Sequence, residues 1–147
     1  RAEGIERRVV AVADLTLHIL TNLFPKLQEA LATIKAWGFE YKTIGFCWVK
    51  RNKNGSWFKG IGFYTKSNSE VCLIATKGKP PKKSVHHTVS QLVETVREEH
   101  SKKPDEVRKR IVEFTGDVPR IELFARQAAA GWDCWGNEVG KFEEVNE

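Results

Sequence analysis

Three stretches in the last third of this 147-residue chain contain residues that could do chemistry. Residues 103–106 read Lys-Pro-Asp-Glu, Glu122 interrupts an apolar run, and residues 131–139 read Gly-Trp-Asp-Cys-Trp-Gly-Asn-Glu-Val. A carboxylate within an apolar run needs a partner that offsets its desolvation. At the carboxyl end of a strand in an α/β protein, such an acid commonly binds the two hydroxyls of a ribose. Strand alternation that turns Glu122 toward water would explain its position equally well, so the spacing leaves both interpretations open.

A helix and a strand would position these residues. Pro104 suits the first helical position, and Gly116 can supply the left-handed residue that ends the helix. The predicted helix has acidic residues in its first turn, where the helix dipole favours them, and apolar residues at helical spacing: Asp105, Glu106, Val107, Ile111 and Phe114. The apolar run 121–125 then begins as a strand.

The upstream part of the chain predicts further strands and one more helix. Strands are indicated at residues 15–21, 41–50 and 70–76 by their apolar and β-branched content. A helix over residues 27–37 follows the first of these strands, with Asn22 and Pro25 suited to its start and Gly38 to its end. Residues 89–96 match both a helix face and a strand.

Several short motifs occur in a fixed order along the chain. They are Trp37-Gly38-Phe39, Trp48-Val49-Lys50, Gly62-Phe63-Tyr64, Glu70-Val71-Cys72-Leu73 and Lys77-Gly78-Lys79-Pro80, followed by Lys-Pro-Asp-Glu, Glu-Leu-Phe-Ala-Arg and Gly-Trp-Asp-Cys-Trp-Gly-Asn-Glu. Over about residues 15–139, this set closely resembles the S-adenosylmethionine-dependent adenine methyltransferases. That family includes the catalytic subunit of the eukaryotic mRNA adenosine methyltransferase and small bacterial and phage DNA-adenine methyltransferases.

The resemblance implies one α/β domain over residues 1–147 with a Rossmann-like class I methyltransferase fold. We expect a mixed, mostly parallel sheet with helices packed on it, and the resemblance favours a strand for residues 89–96. The expected order is then strand, helix, three strands, helix, strand and a final short strand.

By the same resemblance, the cofactor is S-adenosylmethionine and no metal is expected. Lys103 would meet the cofactor's carboxylate, and Glu122 would bind its ribose. Arg126 would close the ribose edge, while Asn137 and Glu138 would contact the adenine and ribose. Asn137 suits this role because a side-chain amide both donates and accepts hydrogen bonds. Gln127 is a looser candidate for a further polar contact.

The substrate side is predicted from aromatic and basic residues. An adenine taken out of a duplex needs a pocket lined by aromatic groups, and the predicted pocket residues are Trp48, Tyr64 and Glu70. The predicted nucleic-acid contacts lie in two basic loops: Arg51, Lys53, Trp57, Lys59, Lys79, Lys82 and Lys83. The alternatives are that Trp57 and Phe58 fold back on the core and that the lysines belong to an ordinary solvated loop.

The group that would activate the target amine is not in this chain. Members of the family carry Asp-Pro-Pro-Trp or a close variant upstream of the motifs above, whereas Pro80-Pro81 follows Lys79 and lies in the wrong place. Because the chain has no methionine, we expect that the motif precedes Arg1 rather than that the protein is inert. The predicted substrate is DNA, with RNA or a catalytically inert nucleic-acid-binding partner as alternatives.

Composition sets outer bounds on these interpretations. A net charge of +5 fits a polyanionic partner without requiring one. No apolar run approaches the roughly 20 residues of a membrane span. Cys47, Cys72 and Cys134 are too far apart for a metal site and indicate buried free thiols in a reducing compartment, so we expect a cytoplasmic protein. Relatives often pair, so a homodimer or heterodimer is an open expectation.

Overall fold

The computed structural model describes residues 9–12, 15–20, 26–62, 64–78, 87–98 and 103–140. Within these residues the chain forms two helices, α1 (Leu27–Ala36) and α2 (Asp105–Thr115). It also forms seven strands: β1 (Val9–Val12), β2 (Leu15–Leu20), β3 (Glu40–Arg51), β4 (Ser69–Thr76), β5 (Leu92–Val96), β6 (Arg120–Leu123) and β7 (Asp133–Trp135). The predicted order of elements is confirmed, with β1 as an additional strand.

All seven strands join one sheet in the order β5-β3-β4-β2-β1-β6-β7. The pairs β3/β5 and β6/β7 are parallel, and the other four neighbouring pairs are antiparallel. The prediction of a mostly parallel sheet was therefore wrong. The reason is that β1 and β4 run opposite to the other five strands and lie between them. The carboxyl ends of β3, β5, β6 and β7 still meet the amino end of β4 at one edge, which we call the upper edge.

A helix covers each face of the sheet. On one face, Val107 and Ile111 of α2 pack against Phe46, Trp48 and Cys72. On the other face, α1 packs against Val71, Leu73 and Ala75 through two of its own residues, Ala30 and Ile34. Successive residues of β4 therefore enter opposite cores, as strand geometry requires. The two faces are called the α2 face and the α1 face below.

The start of α2 differs from the prediction by one residue. Pro104 is the N-cap, with an extended backbone (φ −65°, ψ 138°), and its carbonyl accepts from the amide of Val107 at 3.1 Å. The extended ψ of Pro104 delays the helix to Asp105 and leaves Lys103 beside the sheet. Gly116 ends the helix as predicted, with φ 75° and an amide that donates to the carbonyl of Val112 at 2.8 Å.

Other sequence-based expectations have different outcomes. Residues 92–96 form a strand, which resolves the ambiguity at 89–96. All three cysteines are free thiols as predicted, but only Cys72 is fully buried, while Cys47 and Cys134 are half-buried. The described residues include no helix long and apolar enough to cross a membrane. Several predicted positions lie outside the described residues: Asn22, Pro25, Lys79, Lys82 and Lys83.

Candidate active site

Trp48 and Glu70 are direct neighbours at the upper edge. They are paired across β3 and β4. Both side chains lie on the α2 face, and each residue is only 7% exposed. The indole N–H of Trp48 donates to the hydroxyl of Thr95 on β5 at 2.8 Å. Because this hydrogen bond ties β3 to β5, it fixes the plane of the indole ring next to the Glu70 carboxylate.

Two lysines bind the Glu70 carboxylate. Lys103 Nζ donates to one oxygen at 2.5 Å, and Lys50 Nζ donates to the other. The ammonium groups of Lys50 and Lys103 also lie 4.8 and 5.8 Å from the Trp48 ring centroid. Pairing with two cations offsets the desolvation of this buried carboxylate, and the ring adds a cation–π attraction. We call Trp48, Lys50, Glu70 and Lys103 the lysine cluster.

A cavity of about 20 Å³ opens beside the lysine cluster. It is lined by Trp48, Glu70 and Lys103 together with Pro104 and Val107. That volume holds about one water molecule, so these side chains would have to move to admit a purine base. Trp48 and Glu70 thus share one cavity, as predicted for a base pocket, and Lys103 joins them there.

Tyr64 is not part of this cavity. Its side chain is fully exposed, on the segment between β3 and β4. It lies in a bend at residues 64–65, next to the close approach of Gly62 to the carbonyl of Thr65. The structure therefore brings together only Trp48 and Glu70 of the three predicted pocket residues.

Glu122 is the second buried carboxylate on the α2 face, after Glu70. It is fully buried, and one of its carboxylate oxygens accepts from Arg108 Nε at 2.8 Å. Arg108 Nη1 donates to Asp105 at 2.7 Å, and the Gln127 amide donates to the same carboxylate at 3.4 Å. The interpretation that alternation turns Glu122 toward water is wrong, because its side chain points at α2 and an arginine compensates its charge.

Sequence reasoning missed Arg108, which is only 6% exposed. The spacing of buried residues along α2 could have indicated that Arg108 is buried. Pro104, Val107, Ile111 and Thr115 are buried at spacings of three and four, and Arg108 falls within the same stripe. A cation in the buried stripe of a helix requires an acidic partner, and Glu122 is the buried acid on the next strand.

The end of β6 and the loop after β7 form the third part of the site. Gly136 packs so closely on the segment just after β6 that an added Cβ would lie 2.6 and 2.8 Å from the carbonyl oxygen and amide nitrogen of Ala125. The Ala125 amide donates to the carbonyl of Trp135 at 3.0 Å. This close approach brings the following residues to Arg126, whose Nε donates to Glu138 at 2.9 Å. Position 136 therefore requires glycine, because a Cβ there would collide with the backbone of Ala125.

An aromatic pair with an unusual backbone stands at the same place. Phe124 has φ 59°, the one non-glycine residue in the left-handed region among those described. Its ring meets Trp135 edge-to-face at a centroid distance of 5.8 Å, and both rings are about half exposed. Left-handed backbone at a phenylalanine costs free energy, and residues strained in this way cluster at functional sites. Neither ring was predicted as a site residue.

A groove of about 370 Å³ runs between α2 and residues 127–132. Arg108, Lys109, Gln127 and Trp132 contribute to its walls. Arg108, which bonds to Glu122, is the groove residue next to that buried carboxylate. The groove is far larger than the cavity at the lysine cluster.

The basic loop after β3 presents an arginine stacked on a tryptophan. The guanidinium carbon of Arg51 lies 3.2 Å from the Trp57 ring centroid, and Trp57 is 47% exposed. Lys53 and Lys59 are also exposed on this loop. The alternative that both aromatic residues fold back on the core is wrong, because Trp57 is exposed and the half-buried Phe58 ring faces Lys50 and Arg97.

Comparisons with known proteins bear on this arrangement. The profile of the MT-A70 family matches residues 20–138. The type II methyltransferase M.MunI from Mycoplasma sp. is 38% identical over 127 residues, which are 86% of this chain and 52% of that protein. A putative N(6)-adenosine-methyltransferase MT-A70-like protein from Medicago truncatula is 31% identical over 97% of this chain and 24% of its own length.

A shorter match is the human N(6)-adenine-specific methyltransferase METTL4, which is 47% identical over 49 residues, 32% of this chain and 10% of that protein. The chain spans about half or less of the length of these curated relatives. The family match itself extends from the end of β2 to Glu138 and includes the lysine cluster, Arg108, Glu122 and Arg126. By this match, the chain belongs to the MT-A70 family.

Proposed function

We propose that this chain forms part of an enzyme that transfers a methyl group from S-adenosylmethionine to the exocyclic amino group of adenine in DNA. One observation carries the proposal most directly: the lysine of the Lys-Pro-Asp-Glu motif bonds to Glu70 beside Trp48. A residue expected to bind the cofactor thus borders the cavity expected to receive the base. Family membership and the names of the Mycoplasma methyltransferase and the human N(6)-adenine-specific methyltransferase support the reaction. The choice of DNA follows the resemblance to small bacterial and phage DNA-adenine methyltransferases.

The donor set of this chain fits S-adenosylmethionine, which supplies an electrophilic methyl group when bound. Lys103 would bind its carboxylate, because an ammonium group has three N–H donors and Glu70 takes one of them. Glu122 and Glu138 would accept hydrogen bonds from ribose hydroxyls, with Arg126 at the ribose edge. Asn137 is exposed and would contact the adenine. The close packing of Gly136 on Ala125 holds the last three residues together.

The fold of the whole domain belongs to the same proposal. Family membership implies a class I, Rossmann-like methyltransferase fold. The common direction of β2, β3, β5, β6 and β7 supports it, because a class I site lies where the carboxyl ends of such strands meet. The candidate residues Lys103, Glu122 and Arg126 lie at or below this upper edge.

On the substrate side, the chain supplies an acceptor and a stacking surface. The exocyclic nitrogen of adenine is a weak nucleophile, because its lone pair is delocalised into the ring. A hydrogen bond accepted from this amino group strengthens as positive charge develops on nitrogen. Glu70 would orient the base through its carboxylate, and Trp48 would stack on it. The Asp-Pro-Pro-Trp segment that resemblance assigns to activation would complete this half of the site.

The nucleic acid would lie across the basic loop after β3. Arg51, Lys53 and Lys59 would contact phosphates, and Trp57 would stack on a base. The lysines at 79, 82 and 83 belong to the same proposal, although they lie outside the described residues. RNA is the second candidate substrate, favoured by the match to the Medicago protein. We further infer a cytoplasmic protein that acts as a homodimer or heterodimer.

Methyl transfer to defined polymers tests the proposed function. The full-length protein would be incubated with radiolabelled S-adenosylmethionine and duplex DNA, single-stranded DNA or RNA, and the labelled nucleoside identified after digestion. We expect label on adenine in duplex DNA, and its loss in a Glu122→Ala variant. Label on RNA alone would move the assignment to the RNA substrate. Cofactor binding without label on any polymer would contradict the enzyme assignment and favour an inert nucleic-acid-binding partner.

A further inference from the structure

A second guanidinium–aromatic pair lies beside the Arg51–Trp57 pair. The guanidinium carbon of Arg97 lies 4.6 Å from the centroid of the Phe58 ring, and Arg97 is exposed. The amide of Arg97 donates to the carbonyl of Arg51 at 3.0 Å. The two arginines therefore leave the upper edge side by side, where β3 and β5 end.

The Arg97–Phe58 pair connects directly to the lysine cluster. The amide of Phe58 donates to the carbonyl of Lys50 at 3.0 Å, and the Lys50 ammonium lies 5.9 Å from the Phe58 ring centroid. The same ammonium group bonds to Glu70. One ring and one lysine thus separate Arg97 from the carboxylate beside the candidate base cavity.

The two arginines differ in how much of their charge is compensated. Arg51 Nε forms an ion pair with Glu94 at 2.7 Å. Over the described ranges, Arg97 forms no ion pair with a carboxylate. A ring contact orders a guanidinium group through its face and leaves the N–H donors at its edge free. Those donors match the spacing of two phosphate oxygens, which an arginine binds in bidentate fashion.

We propose that Arg97 and Arg51 form a phosphate clamp for the nucleotides that flank the target adenine, with Phe58 and Trp57 holding the two guanidinium groups in place. The clamp rests on the proposed function, because its position beside the base cavity makes it a nucleic-acid contact. Exposed Lys53 and Lys59 on the same loop add positive charge around it. Arg97 is thereby a substrate-binding residue that contacts a phosphate.

Salt-dependent binding tests the clamp. Fluorescence anisotropy would measure the Kd of the full-length protein for labelled, adenine-containing single-stranded DNA, duplex DNA and RNA over a series of NaCl concentrations. We expect Arg97→Gln to reduce the slope of log K against log salt by about 0.7 for single strands or 0.9 for duplexes, the value for one phosphate contact. Arg97→Lys should restore most of the slope, because it keeps the charge. The matched control is Lys35→Gln, an exposed lysine on α1, which should leave the slope unchanged.

An Arg97→Gln variant with the wild-type slope on all three polymers would overturn the clamp. Methyl transfer by the same proteins separates this outcome from failure of the proposed function. The clamp predicts a KM for nucleic acid raised roughly tenfold with kcat unchanged, since one phosphate contact affects binding alone. If the wild-type protein transfers methyl groups and the Arg97→Gln variant has an unaltered slope and KM, the clamp is overturned and the proposed function stands. A reduced slope without methyl transfer by wild type supports the clamp and overturns the enzyme assignment.

Discussion

Glu70 and Glu122 are two buried carboxylates on the same face of the sheet, and they are held in different ways. Both accept hydrogen bonds from basic side chains: Glu70 from Lys103, which precedes α2, and Glu122 from Arg108, which is in α2. Glu70 has a second partner in Lys50 and lies beside a small cavity. Glu122 is bound by a guanidinium group that Asp105 holds in turn.

This difference indicates two kinds of binding residue. An ammonium group on a flexible stem can leave a carboxylate while a second ammonium group stays, so Glu70 can exchange a lysine for an incoming base without becoming unpaired. A planar guanidinium group with two fixed acceptors has no such freedom. Glu122 is therefore a rigid acceptor, as expected of a residue that orients a ribose. The following changes test this contrast.

The largest effect is expected from Arg108→Met. Removing the guanidinium group leaves the fully buried Glu122 carboxylate without its arginine partner, which costs about 3 to 5 kcal/mol of unfolding free energy. Urea denaturation measures this loss. Lys109→Met, at the exposed neighbouring position, should change stability by no more than about 0.5 kcal/mol. Adding Glu122→Leu to Arg108→Met should recover part of the lost stability, because it removes the buried charge. A cost below about 1 kcal/mol for Arg108→Met alone would contradict the claim that Arg108 compensates the buried Glu122 carboxylate.

The lysine cluster should respond less to any single change. Lys50→Met or Lys103→Met leaves Glu70 with one cation, so each should cost about 1 to 3 kcal/mol. The double variant removes both cations and should cost at least about 1 kcal/mol more than the sum of the two single changes. Denaturation of all four proteins gives this coupling energy. Strict additivity would mean that the two lysines do not share Glu70.

Gly136→Ala tests the close packing that brings Asn137 and Glu138 to Arg126. The new methyl group would collide with the backbone of Ala125, which cannot rotate away as a side chain can. We expect a cofactor Kd raised about tenfold, or about 1.4 kcal/mol, by isothermal titration calorimetry. Gly45→Ala is the control, because its contact is the flexible end of the Ile74 side chain. Equal effects of both changes on cofactor binding would refute a specific role for Gly136.

The smallest stability effect is expected from Glu138→Gln. The Arg126–Glu138 ion pair is half exposed on the carboxylate side, so its removal should change the unfolding free energy by less than about 1 kcal/mol. Cofactor binding should weaken in the same variant if Glu138 contacts the ribose. A large loss of stability with unchanged cofactor binding would reassign Glu138 to a structural role.

Sequence reasoning was most successful where local patterns determine the structure. The helical spacing of Val107 and Ile111 correctly predicted the buried stripe of α2, and the apolar run at residues 70–76 correctly predicted β4. Motif order in the resembling family predicted Glu70 and Trp48 as one base pocket; the structure places both beside one small cavity, and their role in binding a base stays a prediction.

Contacts between segments that are far apart in the sequence could not be predicted from local patterns. The antiparallel positions of β1 and β4 depend on which strands meet in space, and periodicity along one strand does not encode its neighbours. Arg108 was missed because a charged helix residue is usually solvated, and its burial depends on an acid 14 residues away. The Arg97–Phe58 pair joins two separate segments that no single motif contains.

The central proposal is that the α2 face holds one carboxylate for each substrate, Glu122 for the cofactor and Glu70 for the target base. Isosteric Glu122→Gln and Glu70→Gln variants test it most directly when the Kd values for S-adenosylmethionine and for an adenine-containing oligonucleotide are both measured. We predict that Glu122→Gln weakens cofactor binding about 10- to 100-fold and leaves oligonucleotide binding unchanged, and that Glu70→Gln does the reverse. Two variants that weaken the same ligand, or neither, would contradict this division of the site.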